Sequence, residues 1–99
     1  MRPIHIAQLD KSRPMLVLTR EVVRPYLGTV TVAPITTTIR GLSTEVPVGA
    51  ANGLEGPSVV SCENITTIPT RVMGARIGLL LDHQEHALGA AMRAAFDLD

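Results

Sequence analysis

Val30-Thr31-Val32-Ala33-Pro34-Ile35-Thr36-Thr37-Thr38-Ile39-Arg40 opens as a β-branched strand and closes in three consecutive hydroxyls and a guanidinium. Val, Ile and Thr fit the pleated, half-buried surface of a sheet. Hydroxyls and Arg donate well to phosphate oxygens, and Arg grips two oxygens at once. A second arginine stands in Ser12-Arg13-Pro14, at the mouth of the apolar run Met15-Leu16-Val17-Leu18-Thr19. A run apolar at every position marks a strand buried on both faces. Pro14 sits at its entrance, where a missing N–H does least harm. Where these two strands neighbour each other, Arg13 and Thr36 form the core of a candidate phosphodiester-cleaving site. Threonine is also simply a good strand residue, and Arg13 also reads as an exposed strand end.

Outward from this pair, Pro3 to Leu9 sets Ile4, Ile6 and Ala7 against His5 and Gln8 as a first strand, and Asp10-Lys11-Ser12 is a connection of hairpin length. Arg20 to Tyr26 is charged, contains Pro25 and reads as a turn or one short helical turn. Gly41 breaks the pattern after Arg40, and Ser43 to Val48 resumes as a polar edge strand interrupted by Pro47. Gly49 to Pro57, with three glycines, Asn52 and a proline, is a loop. Ser58 to Cys62 returns as a strand and continues irregularly through Asn64 to Ile68, where Pro69 stops it. Arg71 to Leu81 contains Gly74 and Gly78 and reads as a short strand or turn packed under a final helix. That helix starts at Asp82-His83-Gln84-Glu85, with Asp82 as N-cap and Glu85 three residues on. Ala87, Leu88, Ala91, Met92, Ala95 and Phe96 recur as its apolar stripe. Five or six short strands with one carboxy-terminal helix predict a mainly β fold, a small SH3-like, partly open β-barrel over 1–99 as a single domain.

Tyr26 and Phe96 are the only aromatics in 99 residues, so the core is aliphatic and thin. A chain of this size buries barely enough surface alone, which favours a partner surface, most simply a homodimer. Net charge is zero, yet residues 1–40 carry six basic and two acidic side chains and 41–99 carry three and seven. Eight of the nine cations are Arg, the better side chain for bidentate phosphate contacts. A neutral chain with a basic half still concentrates field on one face. Cys62 is the only cysteine, so no internal disulfide forms and a reducing cytoplasm is the expected home. No amino-terminal segment reads as a secretory signal, and the apolar runs are far too short to span a membrane.

Other chemistries fit less well. His83 and His86 are three apart, but no third metal ligand is visible, so no metal site and no cofactor is expected. Nothing near Cys62 lowers its pKa, which suits a buried, inert thiol. Gly49-Ala50-Ala51-Asn52-Gly53 lacks the Lys-Ser/Thr ending of a nucleotide-binding loop. RNA cleavage by its own 2′-hydroxyl, in contrast, needs only an aligned phosphate and donors aimed where charge builds.

Arg13-Pro14-Met15-Leu16-Val17-Leu18 resembles the "RPVLVL" strand of the MazF/PemK toxins, and Val32-Ala33-Pro34-Ile35-Thr36 resembles their "APIT" strand. Glu45-Val46-Pro47-Val48 and the segment from Ser58 to Ile68 are similar to the later "HVEL" and "SVVLCDQIRTI" segments. The matches fall in order over residues 3–80, and the sequence looks most like the mycobacterial members. The resemblance implies the CcdB/MazF/PemK-like barrel and the toxin half of a toxin–antitoxin pair. It also implies a metal-independent endoribonuclease that cuts single-stranded RNA, mRNA or rRNA, at short motifs. The products implied are a 2′,3′-cyclic phosphate and a 5′-hydroxyl, and the partners are a second copy and a MazE-type antitoxin.

Carried over by position, Arg13 and Thr36 take the family's catalytic arginine and threonine, and Asn64 falls where a glutamine near the RNA is common. Thr38 and Arg40 match no strict motif and are assigned as phosphate contacts on their chemistry alone. Arginine stays protonated near neutral pH, so Arg13 suits phosphorane stabilisation rather than proton abstraction. His5 is the one neutral candidate base in this half, although a packed strand histidine is the stronger reading. Two departures stand out: the first hairpin loop is cut to Asp10-Lys11-Ser12, and first-strand aromatics are absent, which leaves specificity to hydrogen bonds and shape. A competing function on the same barrel is a toxin that binds DNA gyrase and cuts nothing. Its working surface would be the carboxy-terminal helix. A plain interaction module is the third reading.

Overall fold

A computed structural model describes residues 1–21, 24 and 28–98. Its strands are β1 (Pro3–Gln8), β2 (Ser12–Val17), β3 (Thr29–Thr36), β4 (Glu45–Val48), β5 (Ser58–Ser61), β6 (Thr66–Pro69) and β7 (Met73–Leu79), followed by helix α1 (Asp82–Ala95). All pairings are antiparallel, in the order β4-β5-β3-β2-β1-β7, with β6 added beside β3.

The deciding stretch is the hub of this sheet. One edge of β3 runs along β2, with Met15 opposite Pro34 and Val17 opposite Val32. Its other edge is shared: Thr29 to Val32 pair with β6, whereas Ile35 and Thr36 pair with β5. The handover falls at Ala33-Pro34, where proline has no N–H to give a ladder. The sheet curls here and ends in two free edges, β4 and β7, which makes a partly open barrel.

Strand alternation sorts the apolar side chains into two clusters. Ile4, Leu16, Ala33, Ile35, Val60 and Leu80 pack with Leu88 and Ala91 of the helix, while Ala7, Met15, Val17, Val30, Val32 and Ile68 pack on the opposite face. Leu16 serves one cluster and its neighbours Met15 and Val17 the other, so β2 is buried on both faces as its sequence predicts. Pro47 lies exposed on β4 at the sheet edge, also as expected.

Three expectations are corrected. Residues 73–79 form a full strand on the free edge beside β1, and α1 packs chiefly against β4 and the turn Cys62–Asn64. Gly74 and Gly78 mask this strand in sequence, and both are needed for packing. A Cβ on Gly74 would lie 2.8 Å from the Ile6 carbonyl oxygen, and one on Gly78 would overlap the Asn52 carbonyl. The helix cap lies one residue early, at Leu81, because Gln84 rather than Glu85 turns back to accept the Leu81 N–H at 2.9 Å. Leucine offers no side-chain acceptor, so this is half of a capping box. Phe96 leaves the apolar stripe: α1 ends at Ala95, and the ring is 54 % exposed. Much of the turn expected over Arg20 to Tyr26 lies outside the described residues.

Candidate active site

The β2–β3 register points the two predicted residues at each other. The pairs Met15–Pro34, Leu16–Ala33 and Val17–Val32 end two residues short of them; the same alignment continued puts Arg13 across from Thr36, and both line one cleft. Beyond Thr36 the chain leaves the sheet, turns at Gly41 (φ 72°) and returns as β4. The turn Cys62–Asn64, at the end of β5, supplies the other side.

These segments enclose a cleft of about 470 Å³. All five residues singled out in the sequence line it: Arg13, Thr36, Thr38, Arg40 and Asn64. Three polar residues that sequence reasoning missed also line it, namely Glu45, Ser61 and Glu63, with Pro34 and Leu42 as its apolar contribution. Among the described residues no aromatic side chain lines the cleft. The shortened hairpin loop contributes nothing to it either.

Hydrogen bonding inside the cleft is selective. The guanidinium groups of Arg13 and Arg40 have no hydrogen-bond or ion-pair partner among the described residues, which leaves two planar forks of donors open to a ligand. Thr36 Oγ1 accepts the Thr38 N–H at 3.1 Å, so its own hydroxyl hydrogen remains free to donate. Asn64 Nδ2 donates to Ser61 Oγ at 2.9 Å, which holds the amide in place and frees its Oδ1 as an acceptor. Glu45 is fully engaged, because its carboxylate accepts the backbone N–H groups of Arg40, Gly41 and Leu42. The cleft can therefore hold an anion by convergent donors.

His5 does not line this cleft; its Nδ1 lies 2.8 Å from the Gly74 carbonyl oxygen, across the β1–β7 edge. Cys62 is buried in the core, and burial first, then the neighbouring Glu63 carboxylate, pushes its thiol pKa up from 9.0. Both changes oppose a thiolate nucleophile. Among the described residues no three His, Cys, Asp or Glu side chains gather as a metal site, and no helix is long and apolar enough to cross a membrane.

Comparison with known proteins agrees with this architecture. The chain is 70% identical over all of its 99 residues to Endoribonuclease MazF3 of Mycobacterium tuberculosis, covering 96% of that protein. It is 35% identical over 86 residues to Probable endoribonuclease MazF5 of the same species, covering 86% of this chain and 79% of that protein. The solved structure of Mycobacterium tuberculosis toxin MazF-mt6 superposes with a TM-score of 0.96 at 69% identity, covering 99% of each chain. A MazE–MazF structure from Deinococcus radiodurans, at 17% identity, shares the fold with a TM-score of 0.80 and covers 99% of this chain and 93% of that one. Residues 3–96 match the family described as PemK-like, MazF-like toxin of type II toxin–antitoxin systems, and the chain belongs to that family.

Proposed function

We propose that this toxin is an endoribonuclease that cuts single-stranded RNA at short sequence motifs, without a metal ion, and thereby blocks translation and growth. One observation carries the reading: Arg13 and Arg40, whose guanidiniums have no partner among the described residues, line one cleft with the hydroxyl residues Thr36 and Thr38. That is the equipment an RNA phosphodiester requires, since its nucleophile is already attached as the 2′-hydroxyl.

In the reaction the 2′-hydroxyl gives up its proton as its oxygen attacks phosphorus, the bond to the 5′-oxygen breaks and that oxygen takes up a proton, so the products are a 2′,3′-cyclic phosphate and a 5′-hydroxyl. Negative charge grows on the non-bridging oxygens of the phosphorane. Arg13 stabilises that charge with a bidentate grip, and the free hydrogen of Thr36 Oγ1 gives a second bond. Arg40 and Thr38 hold flanking phosphate, and Asn64 offers its Oδ1 to a base edge. With no aromatic platform among the described cleft residues, bases are chosen by hydrogen bonds and shape rather than by stacking.

A second copy of the chain and a MazE-type antitoxin are the proposed partners, and the cytoplasm is the proposed location. An acidic peptide with apolar anchors would compete with RNA for the basic cleft. The gyrase-binding alternative is not favoured: the relatives at 70% and 35% identity carry endoribonuclease names.

The test is incubation of purified protein with a defined RNA mixture in EDTA. Primer extension maps the cuts, and end analysis identifies the termini. Cuts at a recurrent motif with cyclic-phosphate ends are expected. Intact RNA, alongside inhibited gyrase, would replace this reading with the alternative.

A further inference from the structure

We infer that Glu45 is a positioning residue that presents Arg40 to the RNA backbone, an inference that rests on the endoribonuclease reading of the cleft. Residues 37–43, beyond the sheet, are all exposed, and even the apolar Ile39 and Leu42 are 53 % and 44 % exposed. Apolar burial therefore does not fix this segment, and something else must.

Glu45 does so from a rigid base. It is the first residue of β4, paired with Ser61 of β5, which in turn pairs with β3. From there Oε1 accepts the N–H groups of Arg40 at 3.1 Å, Gly41 at 2.9 Å and Leu42 at 3.2 Å, and Oε2 adds Arg40 at 3.3 Å. The Glu45 N–H closes the turn by donating to the Leu42 carbonyl at 3.1 Å. Three successive amides converge on one carboxylate because Gly41 takes a left-handed conformation, φ 72°. The backbone of Arg40, a residue of the cleft lining, is thus pinned, while its guanidinium has no partner among the described residues. Both Glu45 oxygens accept backbone N–H groups of the loop, which makes the loop, and Arg40 on it, the route by which this carboxylate acts on RNA. Prepositioning a long cationic side chain lowers the ordering cost of binding.

The experiment compares Glu45→Ala, Glu45→Gln, Arg40→Ala and the double variant Glu45→Ala/Arg40→Ala. Glu45→Ala is expected to raise KM for RNA about tenfold with kcat changed less than threefold. Glu45→Gln keeps one acceptor oxygen at the Oε1 position and should lie between it and the parent. The double variant should bind RNA no worse than Arg40→Ala alone, because the staple has no purpose once its guanidinium is gone. Amide exchange gives an activity-independent readout: Arg40, Gly41 and Leu42 should exchange at least about tenfold faster in Glu45→Ala, with core amides unchanged. Additive losses in the double variant, an unchanged KM, or unchanged exchange at these three amides would overturn the inference. If the parent protein cuts no RNA, the endoribonuclease reading fails. The inference is then judged by exchange and by affinity for 2′-O-methyl oligoribonucleotides, where weaker binding by Glu45→Ala supports it and equal binding overturns it.

Discussion

The turn at Ala50–Asn52 and the cleft at the end of β3 treat polar groups in opposite ways. Asn52 is 1 % exposed, and its amide is saturated. Its Oδ1 accepts from the Gly49 N–H at 3.0 Å and from Gln84 Nε2 at 3.2 Å, and its Nδ2 donates to the Leu79 carbonyl at 2.9 Å and to Gln84 Oε1 at 2.6 Å. That one side chain ties a loop, the end of β7 and the first turn of α1 together. Among the described residues the guanidiniums of the two cleft arginines make no such bonds, and Glu45 is engaged by backbone rather than by either of them. Saturated groups hold a fold, because burying them unpaired is expensive. Groups left open at a surface cleft add little to stability and are available to a ligand. A substitution at one end should therefore damage cutting and spare folding, and a substitution at the other should do the reverse.

The largest expected effect is at Arg13. Arg13→Ala should lower kcat/KM for RNA cleavage about a thousandfold, equivalent to about 4 kcal/mol of transition-state stabilisation, and Thr36→Ala about a hundredfold. The urea midpoint of Arg13→Ala should match the parent, since Arg13 is exposed and its guanidinium has no partner among the described residues. A large stability loss in Arg13→Ala would erase the contrast between the two regions.

At the opposite end the next largest effect belongs to Gly78→Ala. A Cβ there would overlap the Asn52 carbonyl oxygen, and the reciprocal approach of Gly53 to the Ile77 carbonyl is equally close. Backbone cannot yield as a flexible side chain does, so a loss of about 3 kcal/mol in urea unfolding is expected. Asn52→Ala follows at about 2 kcal/mol, because it removes the side-chain partner of the Gly49 N–H and of the Leu79 carbonyl and takes two hydrogen bonds from the Gln84 amide. RNA cleavage measured well below the unfolding temperature should be unchanged in both. Loss of cleavage in a folded Asn52→Ala would couple the two regions.

Cys62 tests the boundary between them, since it belongs to the core while the adjacent Glu63 lines the cleft. Burial, then Glu63, raises its pKa in the folded state. Above pH 9 the unfolded chain gives up this proton while the folded chain keeps it, so stability is full below that pH and falls as pH rises. Urea midpoints measured from pH 8 to 10.5 should decline, and less steeply in Glu63→Gln, where the smaller of the two causes is gone.

How much of this was legible in the sequence depends on which interactions a residue advertises. β2 and β3 were legible because apolar continuity and β-branching state their burial directly. Arg13 and Thr36 followed because an antiparallel register needs only two strands to align them. Glu45 was hidden, since its partners are backbone amides that no residue identity announces. The cap at Leu81 was hidden by Asn52, thirty-odd positions away in sequence, which draws Gln84 into the capping position while Asp82 and Glu85 show the better local spacing. β7 was obscured because the glycines that break its pattern are required by the chain that crosses it. Local propensity fails here at the places where distant backbone approaches.

Glycine also supplies the smallest prediction. Gly89 lies within α1, where a Cβ would meet only Arg93 Nη1, at 3.4 Å. That atom is the tip of a flexible side chain and can move aside. Glycine in a helix interior is less stable than alanine by about 1 kcal/mol, largely through the entropy of the unfolded chain. Gly89→Ala should therefore stabilise by about 0.5–1 kcal/mol and raise the thermal midpoint by about 2–6 °C in a domain of this size. The same chemical change thus carries opposite signs at Gly78 and Gly89, set by whether the new methyl meets a fixed carbonyl or a mobile guanidinium. A destabilised Gly89→Ala would mean that another surface, such as a second copy of the chain, already fills that space. The midpoint of the variant should then depend on protein concentration differently from that of the parent.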